Sequence, residues 1–237
     1  MTNEEIEDIV FTINIYLTTS RINDAIHLFK ELIDIDPAFD NTRRLLFHAT
    51  YKTVIDEIRS VLLVLNTNLE LESSVGNLER VKFIEQRKEQ LIERLINYST
   101  DAIELIDSQL CPAAPDVAAH VFYIKLKADF YRYVTEYSDE AEASAALETA
   151  STMYKEALDL CATHFTPVDP LRLSVILNAA VFRYNQRQDF EGASEMLKQA
   201  LNNFNEAYRE LSPEQQKETT ELVQLMTENI QNWSSDL

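Results

Sequence analysis

Two pairs of cationic side chains recur at a seven-residue spacing in this chain. Lys52 and Arg59 form the first pair, and Lys125 and Arg132 form the second. Seven residues are almost two helical turns, so each pair stays on one helix face with only about 20° of drift. Two arginines, a lysine and a tyrosine hydroxyl suit a phosphate dianion, because guanidinium groups donate hydrogen bonds in a fork. The spacing does not show whether the two segments meet.

Carboxylates stand beside the second pair. Asp129 lies one helical turn before Arg132, and Glu136 lies one turn after it. A carboxylate at this spacing can hold and orient a guanidinium group. The alternative interpretation is that all these charges form ordinary ion pairs on solvent-exposed helix faces.

Two further segments combine apolar residues at helical spacing with a polar amide. Asn178 and Asn229 each lie beside such an apolar stripe, and their amides can bind a peptide backbone with both a donor and an acceptor. Stripes of this kind are more often core than groove. Their apolar members include Leu177, Val181, Leu222, Leu225 and Trp233.

The elements that carry these residues are predicted to be helices. The chain has 237 residues, of which 46% are hydrophobic and only two, Gly76 and Gly192, are glycine. Hairpins, phosphate-binding loops and dinucleotide folds use glycine where the backbone needs a positive φ or close approach. The composition therefore predicts an all-α fold and argues against β-sandwiches, Rossmann folds and P-loop enzymes.

Apolar periodicity and helix-breaking residues predict about nine helices. Asn3 is expected to cap the first, and Ser212 with Pro213 to open the last. Because no linker rich in glycine, serine or proline divides the chain, residues 1–237 are interpreted as one domain. The predicted helices are Asn3–Thr18, Asn23–Ile35, Asp40–Leu69, Leu78–Leu110, Asp116–Tyr137, Glu140–Cys161, Leu171–Gln186, Phe190–Leu211 and one from Ser212 onward.

Charge and motifs exclude several functions. Forty acidic and 21 basic residues leave a formal charge of −19, so nucleic acid should be repelled. No catalytic, nucleotide-binding or metal-ligand motif occurs, and Cys111 and Cys161 are far apart. The acidic N-terminus and the short apolar runs predict neither a signal peptide nor a membrane span. We expect a non-enzymatic cytoplasmic protein without cofactor or metal.

Residues 121–133, VFYIKLKADFYRY, resemble the VFYLKMKGDYYRY segment of the 14-3-3 family. Three looser similarities follow in the family's order. Residues 44–59 resemble RNLLSVAYKNVVGARR, residues 172–182 resemble RLGLALNFSVF, and residues 222–236 resemble IMQLLRDNLTLWTSD. The resemblance implies about nine antiparallel helices in a single array with a concave groove.

The resemblance also implies a function: an adaptor that docks phosphoserine or phosphothreonine segments of phosphorylated partner proteins in the groove. Residues 1–70 would then hold the N-terminal helices and a dimerisation region, and residues 71–237 the remaining helices of the groove. Asn178 and Asn229 would hold the ligand backbone. Phosphate would be bound by Lys52, Arg59, Arg132 and Tyr133. Lys125, Leu177, Val181, Leu222, Leu225 and Trp233 would line the groove, with Asp129 and Glu136 in support.

The chain departs from the family pattern at several positions. Asn185 stands in place of a glutamate, Asn232 in place of an apolar residue, and Leu62-Leu63 in place of Trp-Arg. The phosphate-binding residues are all of matching type. Because the three departures bear on ligand preference and groove shape, a second hypothesis is a helical scaffold of the same fold that has lost phosphate dependence. A tetratricopeptide-like peptide binder is a third, although no thirty-four-residue period is sustained.

Dimerisation is the family's usual state, as a homodimer or as a heterodimer with a related subunit. The family pairs helices one and two of one subunit with helices three and four of the other, partly through salt bridges. In this chain the corresponding pairs become Arg21 opposite Arg94 and Asp24 opposite Gln90. The like-charged pair is unfavourable, so the interface salt bridges are altered.

Overall fold

The computed structural model describes residues 2–202 and 208–234. The regular elements in those ranges are nine α-helices, one π-helical turn and one 3-10 turn, which confirms the all-α prediction. The π-helical turn Ile106–Leu110 continues α4, and the 3-10 turn Tyr208–Glu210 precedes α9. The helices are α1 Asn3–Thr18, α2 Ile22–Ile35, α3 Asn41–Ser74, α4 Leu78–Leu105, α5 Val117–Tyr137, α6 Glu140–His164, α7 Pro170–Arg187, α8 Phe190–Asn202 and α9 Pro213–Trp233.

Capping side chains explain where the first and last helices begin. Thr2, rather than Asn3, caps α1: its hydroxyl accepts from the Glu5 amide at 3.3 Å, and the Glu5 carboxylate accepts from the Thr2 amide at 2.7 Å. The prediction for Asn3 was wrong because a threonine followed three residues later by glutamate forms a reciprocal capping box. Ser212 caps α9 and Pro213 occupies its first turn, as predicted.

The ends of α3 and α8 differ from the predicted ends. Helix α3 continues five residues beyond Leu69, and the turn is confined to the short segment around Gly76, whose φ of 72° suits glycine. Helix α8 ends at Asn202 rather than Leu211, and residues 203–207 lie outside the described ranges. The 3-10 turn that follows packs on α9, because the Tyr208 hydroxyl lies 3.2 Å from the Gln216 carbonyl oxygen.

Contacts along the chain define two compact units. The N-terminal unit consists of Met1–Pro115 with Tyr137–Asp139, and the C-terminal unit consists of Asp116–Glu136 with Glu140–Leu237. Residue 70, at which the resemblance divides the N-terminal helices from the remaining helices of the groove, lies inside α3, and that division stays a prediction. The interpretation of the whole chain as one domain stays a prediction.

Each unit has its own apolar core. In the N-terminal unit, Phe29 is fully buried and packs edge-on against Phe47, with ring centroids 5.6 Å apart, and Phe47 packs on Tyr51 at 4.8 Å. In the C-terminal unit, α7 contributes residues to two apolar clusters. One of its faces packs on α8 and α9, and another face packs on α6 through Phe182, whose ring lies 5.1 Å from that of Tyr154.

Two adjacent leucines of α3 give a matched test of this packing. Leu62 is 2% exposed and Leu63 is 68% exposed. Leu62→Ala should lower the free energy of unfolding by about 2–5 kcal/mol, because it leaves a cavity in the core. Leu63→Ala should change it by less than about 0.5 kcal/mol. Urea unfolding followed by circular dichroism measures both, and equal effects would contradict the orientation of α3.

Candidate phosphate-binding site

A buried polar cluster in the C-terminal unit joins α5, α6 and α7. Its centre is Asp129 on α5, which is 4% exposed. The Nζ atom of Lys125 lies 2.9 Å from Oδ2 of Asp129, and the Tyr154 hydroxyl donates to Oδ1 at 2.5 Å. The side-chain amide of Asn178 lies 2.9 Å from both carboxylate oxygens. The buried carboxylate is therefore satisfied by side chains from three helices.

Burial and neighbouring charged groups determine the protonation states of Asp129 and Tyr154. Burial acts to raise the pKa of Asp129, but the charges of Lys125 and Arg132 and the Tyr154 hydrogen bond outweigh it, and the pKa lies below its usual value of 3.8. Burial, reinforced by the Asp129 charge, raises the pKa of Tyr154 well above its ordinary range. At neutral pH Asp129 is therefore ionised, and Tyr154 is a neutral hydrogen-bond donor.

Arg132 lies at the edge of this cluster, with 13% of its side chain exposed. Its Nη1 is 3.1 Å from Oε1 of Glu136, and its guanidinium carbon lies 4.5 Å from the centre of the Tyr133 ring. Burial opposes the charge, but Tyr154, Tyr133, Asp129 and Glu136 together raise the pKa of Arg132. A guanidinium has five N–H donors, more than Glu136 alone can accept. The side chain is thus charged and oriented, and its role in binding phosphate stays a prediction.

The other predicted phosphate-binding residues lie on α3, in the N-terminal unit. Lys52 and Arg59 flank Asp56: Lys52 forms an ion pair with it, and Nη1 of Arg59 lies 4.0 Å from its Oδ1. Both cations are partly exposed and reach the same carboxylate, so they lie on one face of α3, as their seven-residue spacing predicts. The roles of these two residues in binding phosphate stay predictions. A cavity of about 470 Å³ in this unit is lined by Asp56, Arg59, Ser60, Leu63 and Tyr137.

The residues predicted to line a groove fall into three environments. Lys125 is buried and its charge is engaged by Asp129. Leu177 and Trp233 are buried in the core shared by α7, α8 and α9, where the indole stacks on Tyr184 with ring centroids 4.4 Å apart. Val181 and Leu222 are half-buried and pack against this core, Asn229 is half-buried, and Leu225 is exposed.

Sequence reasoning missed two features of the cluster. Tyr154 has no local signal, because it lies 25 residues from Asp129 along the chain. Asn178 was assigned to a peptide backbone, and its link to Asp129 across 49 residues could not be read from spacing. Glu136 was predicted to support Arg132, and the two side chains form an ion pair; the role of Glu136 in a phosphate site stays a prediction.

Two negative findings concern residues 2–202 and 208–234. No helix in these ranges has an apolar stretch long enough to cross a membrane. No group of three or more histidine, cysteine or acidic side chains in them is arranged to hold a metal ion.

The all-α fold agrees with comparisons to known proteins. The family model for 14-3-3 proteins matches residues 12–234. The chain is 30% identical over 237 residues to the 14-3-3-like protein GF14 epsilon of Arabidopsis thaliana, covering 100% of this chain and 93% of that protein. It is 34% identical over 197 residues to 14-3-3 protein 2 of Solanum lycopersicum, covering 82% of this chain and 76% of that protein. The chain therefore belongs to the 14-3-3 family, which confirms the resemblance.

Asp129→Asn tests the electrostatic role of the cluster. At neutral pH the substitution should lower the free energy of unfolding by about 3–5 kcal/mol, because it leaves the buried Lys125 charge without its partner. Asp24→Asn, in an exposed ion pair with Arg21, should cost less than about 1 kcal/mol.

The pH dependence of stability should change as well. The folded-state pKa of Asp129 is lowered, so its ionised form contributes stability that is present above the unfolded-state pKa and lost as the pH falls through the folded-state pKa. Stability of the unmodified chain should therefore fall below about pH 5, and that of Asp129→Asn should fall less steeply. Thermal unfolding across this range measures the difference, and parallel profiles would contradict the assignment.

Proposed function

We propose that this 14-3-3 protein is a non-enzymatic adaptor that binds phosphoserine and phosphothreonine segments of partner proteins. Arg132, with Tyr133 beside it, would bind the phosphate. The observation that carries the proposal is a nearly buried guanidinium, kept charged and oriented, in a chain whose formal charge is −19. Both cysteines are free thiols, which is consistent with a cytoplasmic location.

The chemistry of a phosphorylated side chain suits this arrangement. Such a group carries a charge of about −1.5 to −2 near neutral pH and offers three strong acceptor oxygens. Arginine matches these oxygens with two parallel N–H donors, and the bond strengthens where solvent is excluded. Because the Glu136 pair already holds the guanidinium, little side-chain entropy remains to be lost when phosphate binds.

Further contacts extend the proposal. Lys52 and Arg59 are assigned to phosphate by the family resemblance, and so are Asn178 and Asn229 to the peptide backbone. In the described part of the chain the Asn178 amide nitrogen is bonded to Asp129, whereas its carbonyl oxygen accepts no hydrogen bond. Asn178 would therefore accept from a peptide N–H rather than donate. Exposed Leu225 and half-buried Val181 and Leu222 would contact apolar ligand side chains.

Calorimetry with a phosphoserine peptide of the Arg-Ser-x-pSer-x-Pro type and its unphosphorylated twin tests the proposal. Only the phosphorylated peptide should bind. Arg132→Ala should weaken binding at least about tenfold, because a charge-assisted hydrogen bond contributes about 1.5–3 kcal/mol. Arg132→Lys should restore only part of it, since an ammonium group cannot donate in a fork. Arg80→Ala, at an exposed arginine paired with Glu72, is the matched control and should bind normally.

The same titrations distinguish the other hypotheses. Equal binding of both peptides, unchanged in Arg132→Ala, would support a scaffold that has lost phosphate dependence. Binding only to an unphosphorylated tail would favour a tetratricopeptide-like mode. Lys52→Ala and Arg59→Ala should each weaken only the phosphorylated peptide if these residues share the phosphate.

We also propose that the chain dimerises through apolar surface of its N-terminal unit. Phe11 on α1 and Phe83 on α4 are 66% and 68% exposed, and apolar patches of this kind mark interaction sites. Arg21, expected opposite Arg94 of a partner, instead forms an ion pair with Asp24 of its own chain at 2.7 Å. Other exposed apolar residues on these helices and α3 include Ile15, Val64, Leu71 and Leu78.

Phe83→Glu should shift the protein toward monomer in sedimentation velocity, because it introduces a charge into the apolar contact. Leu45→Glu, at a separate exposed leucine, is the control and should leave the dimer intact. The dimer should persist in about 1 M salt, where the screening length is about 3 Å. Dissociation by salt alone would indicate an interface held by ion pairs instead.

A further inference from the structure

A cavity of about 500 Å³ lies among α6, α7 and α8 in the C-terminal unit. Its volume falls within the range of about 300–1,000 Å³ that is typical of small-molecule sites. The ring of Tyr154 and the side chains of Leu158, Phe182 and Met196 give it an apolar lining. These residues also border a well-packed core cluster, so the lining is positioned by buried contacts rather than by a loop.

This cavity is separate from the residues assigned to the phosphopeptide. Ala179 and Arg183 line the cavity, and each is two residues from Val181 along α7. Successive residues of a helix are rotated by about 100°, so a two-residue separation places side chains on nearly opposite faces. Val181, assigned to the groove, therefore lies across α7 from the cavity. A ligand in the cavity would occupy a second site.

Three cations line the cavity. They are Lys155 on α6 and Arg183 and Arg187 on α7. Nη2 of Arg187 lies 2.9 Å from Oε1 of Glu148, but that carboxylate is largely exposed, so solvent weakens the ion pair. Lys155 has no ion pair in the described ranges. With 40 acidic and only 21 basic residues in the chain, three cations at one cavity form a local exception.

Two acidic residues, Asp159 and Asp189, also line the cavity, and they differ in how far they offset the positive charge. Asp189 is already engaged: its Oδ2 accepts from Nε of Arg183 at 2.9 Å, and its Oδ1 accepts from the Gly192 amide at 3.0 Å. A side chain at Gly192 would place its Cβ 2.5 Å from both Arg183 Nη2 and Asp189 Oδ2. The glycine therefore permits the ion pair that forms one wall. Asp159, one turn after Lys155, is exposed to solvent.

We infer that this cavity binds a small organic anion: an aromatic or aliphatic body on the apolar lining, with a sulfonate, carboxylate or phosphate group at Lys155 and Arg187. The apolar body replaces water at Phe182 and Met196, and the anionic group replaces water at the cations. Neither contact alone suffices, because an inorganic anion has no apolar body and a neutral aromatic leaves the cations without a new partner. This inference does not rest on the proposed phosphopeptide function, although Tyr154 belongs both to the cavity lining and to the polar cluster around Asp129.

Naphthalene sulfonate and its neutral counterpart naphthalene sulfonamide test the inference by calorimetry on the full chain. One sulfonate should bind per chain, and the sulfonamide should bind at least about tenfold more weakly. The double variant Lys155→Gln with Arg187→Gln should weaken the sulfonate by at least about tenfold. Lys198→Gln, at an exposed lysine of α8 outside the lining, should bind as the unmodified chain does.

Two further variants locate the bound sulfonate. Ser151→Phe fills the cavity from its α6 wall and should abolish binding, with circular dichroism confirming that the helices are retained. Arg132→Ala should leave sulfonate binding unchanged. Three results would each overturn the inference. They are loss of sulfonate binding in Arg132→Ala, sulfonate binding by the Lys155→Gln and Arg187→Gln double variant that equals that of the unmodified chain, and no binding by the unmodified chain at about 1 mM sulfonate.

Discussion

A buried carboxylate is costly unless every lone pair finds a donor, and Asp129 imposes this requirement on three helices. Lys125 supplies the neutralising charge from one turn away on α5. Tyr154 and Asn178 supply donors from α6 and α7. These bonds require α5, α6 and α7 to keep a fixed rotation and spacing. Arg132 lies one helical turn after Asp129 on α5. The contacts that fix the position of Asp129 therefore also fix the position of Arg132.

Helix α7 shows how one element serves several purposes when its faces differ. Asn178 faces the polar cluster, Leu177 packs in the core with α8 and α9, and Phe182 packs on α6 beside the cavity. The 3.6-residue period places these side chains on different faces of the helix. Because each face is tied to a different neighbour, a substitution on one face of α7 acts mainly on one partner helix.

The sequence predicted the features that depend on local spacing. Helix type, most helix bounds and the pairing of Arg132 with Glu136 follow from residues within one or two turns of each other. The partners Tyr154 and Asn178 could not be predicted, because no periodicity links positions 25 and 49 residues from Asp129. Lys125 illustrates the same limit: its spacing from Arg132 suggested a shared exposed face, but burial beside Asp129 removed its charge from solvent.

The candidate cations repeat one local arrangement with different chemical consequences. Lys52, Lys125 and Arg132 each have a carboxylate four residues later, and each is ion-paired with it. A carboxylate orients the cation but also competes with any incoming anion. Lys125 is matched by a buried charge and can add little. Arg132 has donors beyond those that Glu136 accepts. Under the proposed function, a phosphate dianion with three oxygens would accept from these remaining donors while Glu136 keeps the guanidinium oriented, whereas a single carboxylate offers fewer acceptors to them. Selectivity for phosphate would then arise from the ion pair itself, not from positive charge alone.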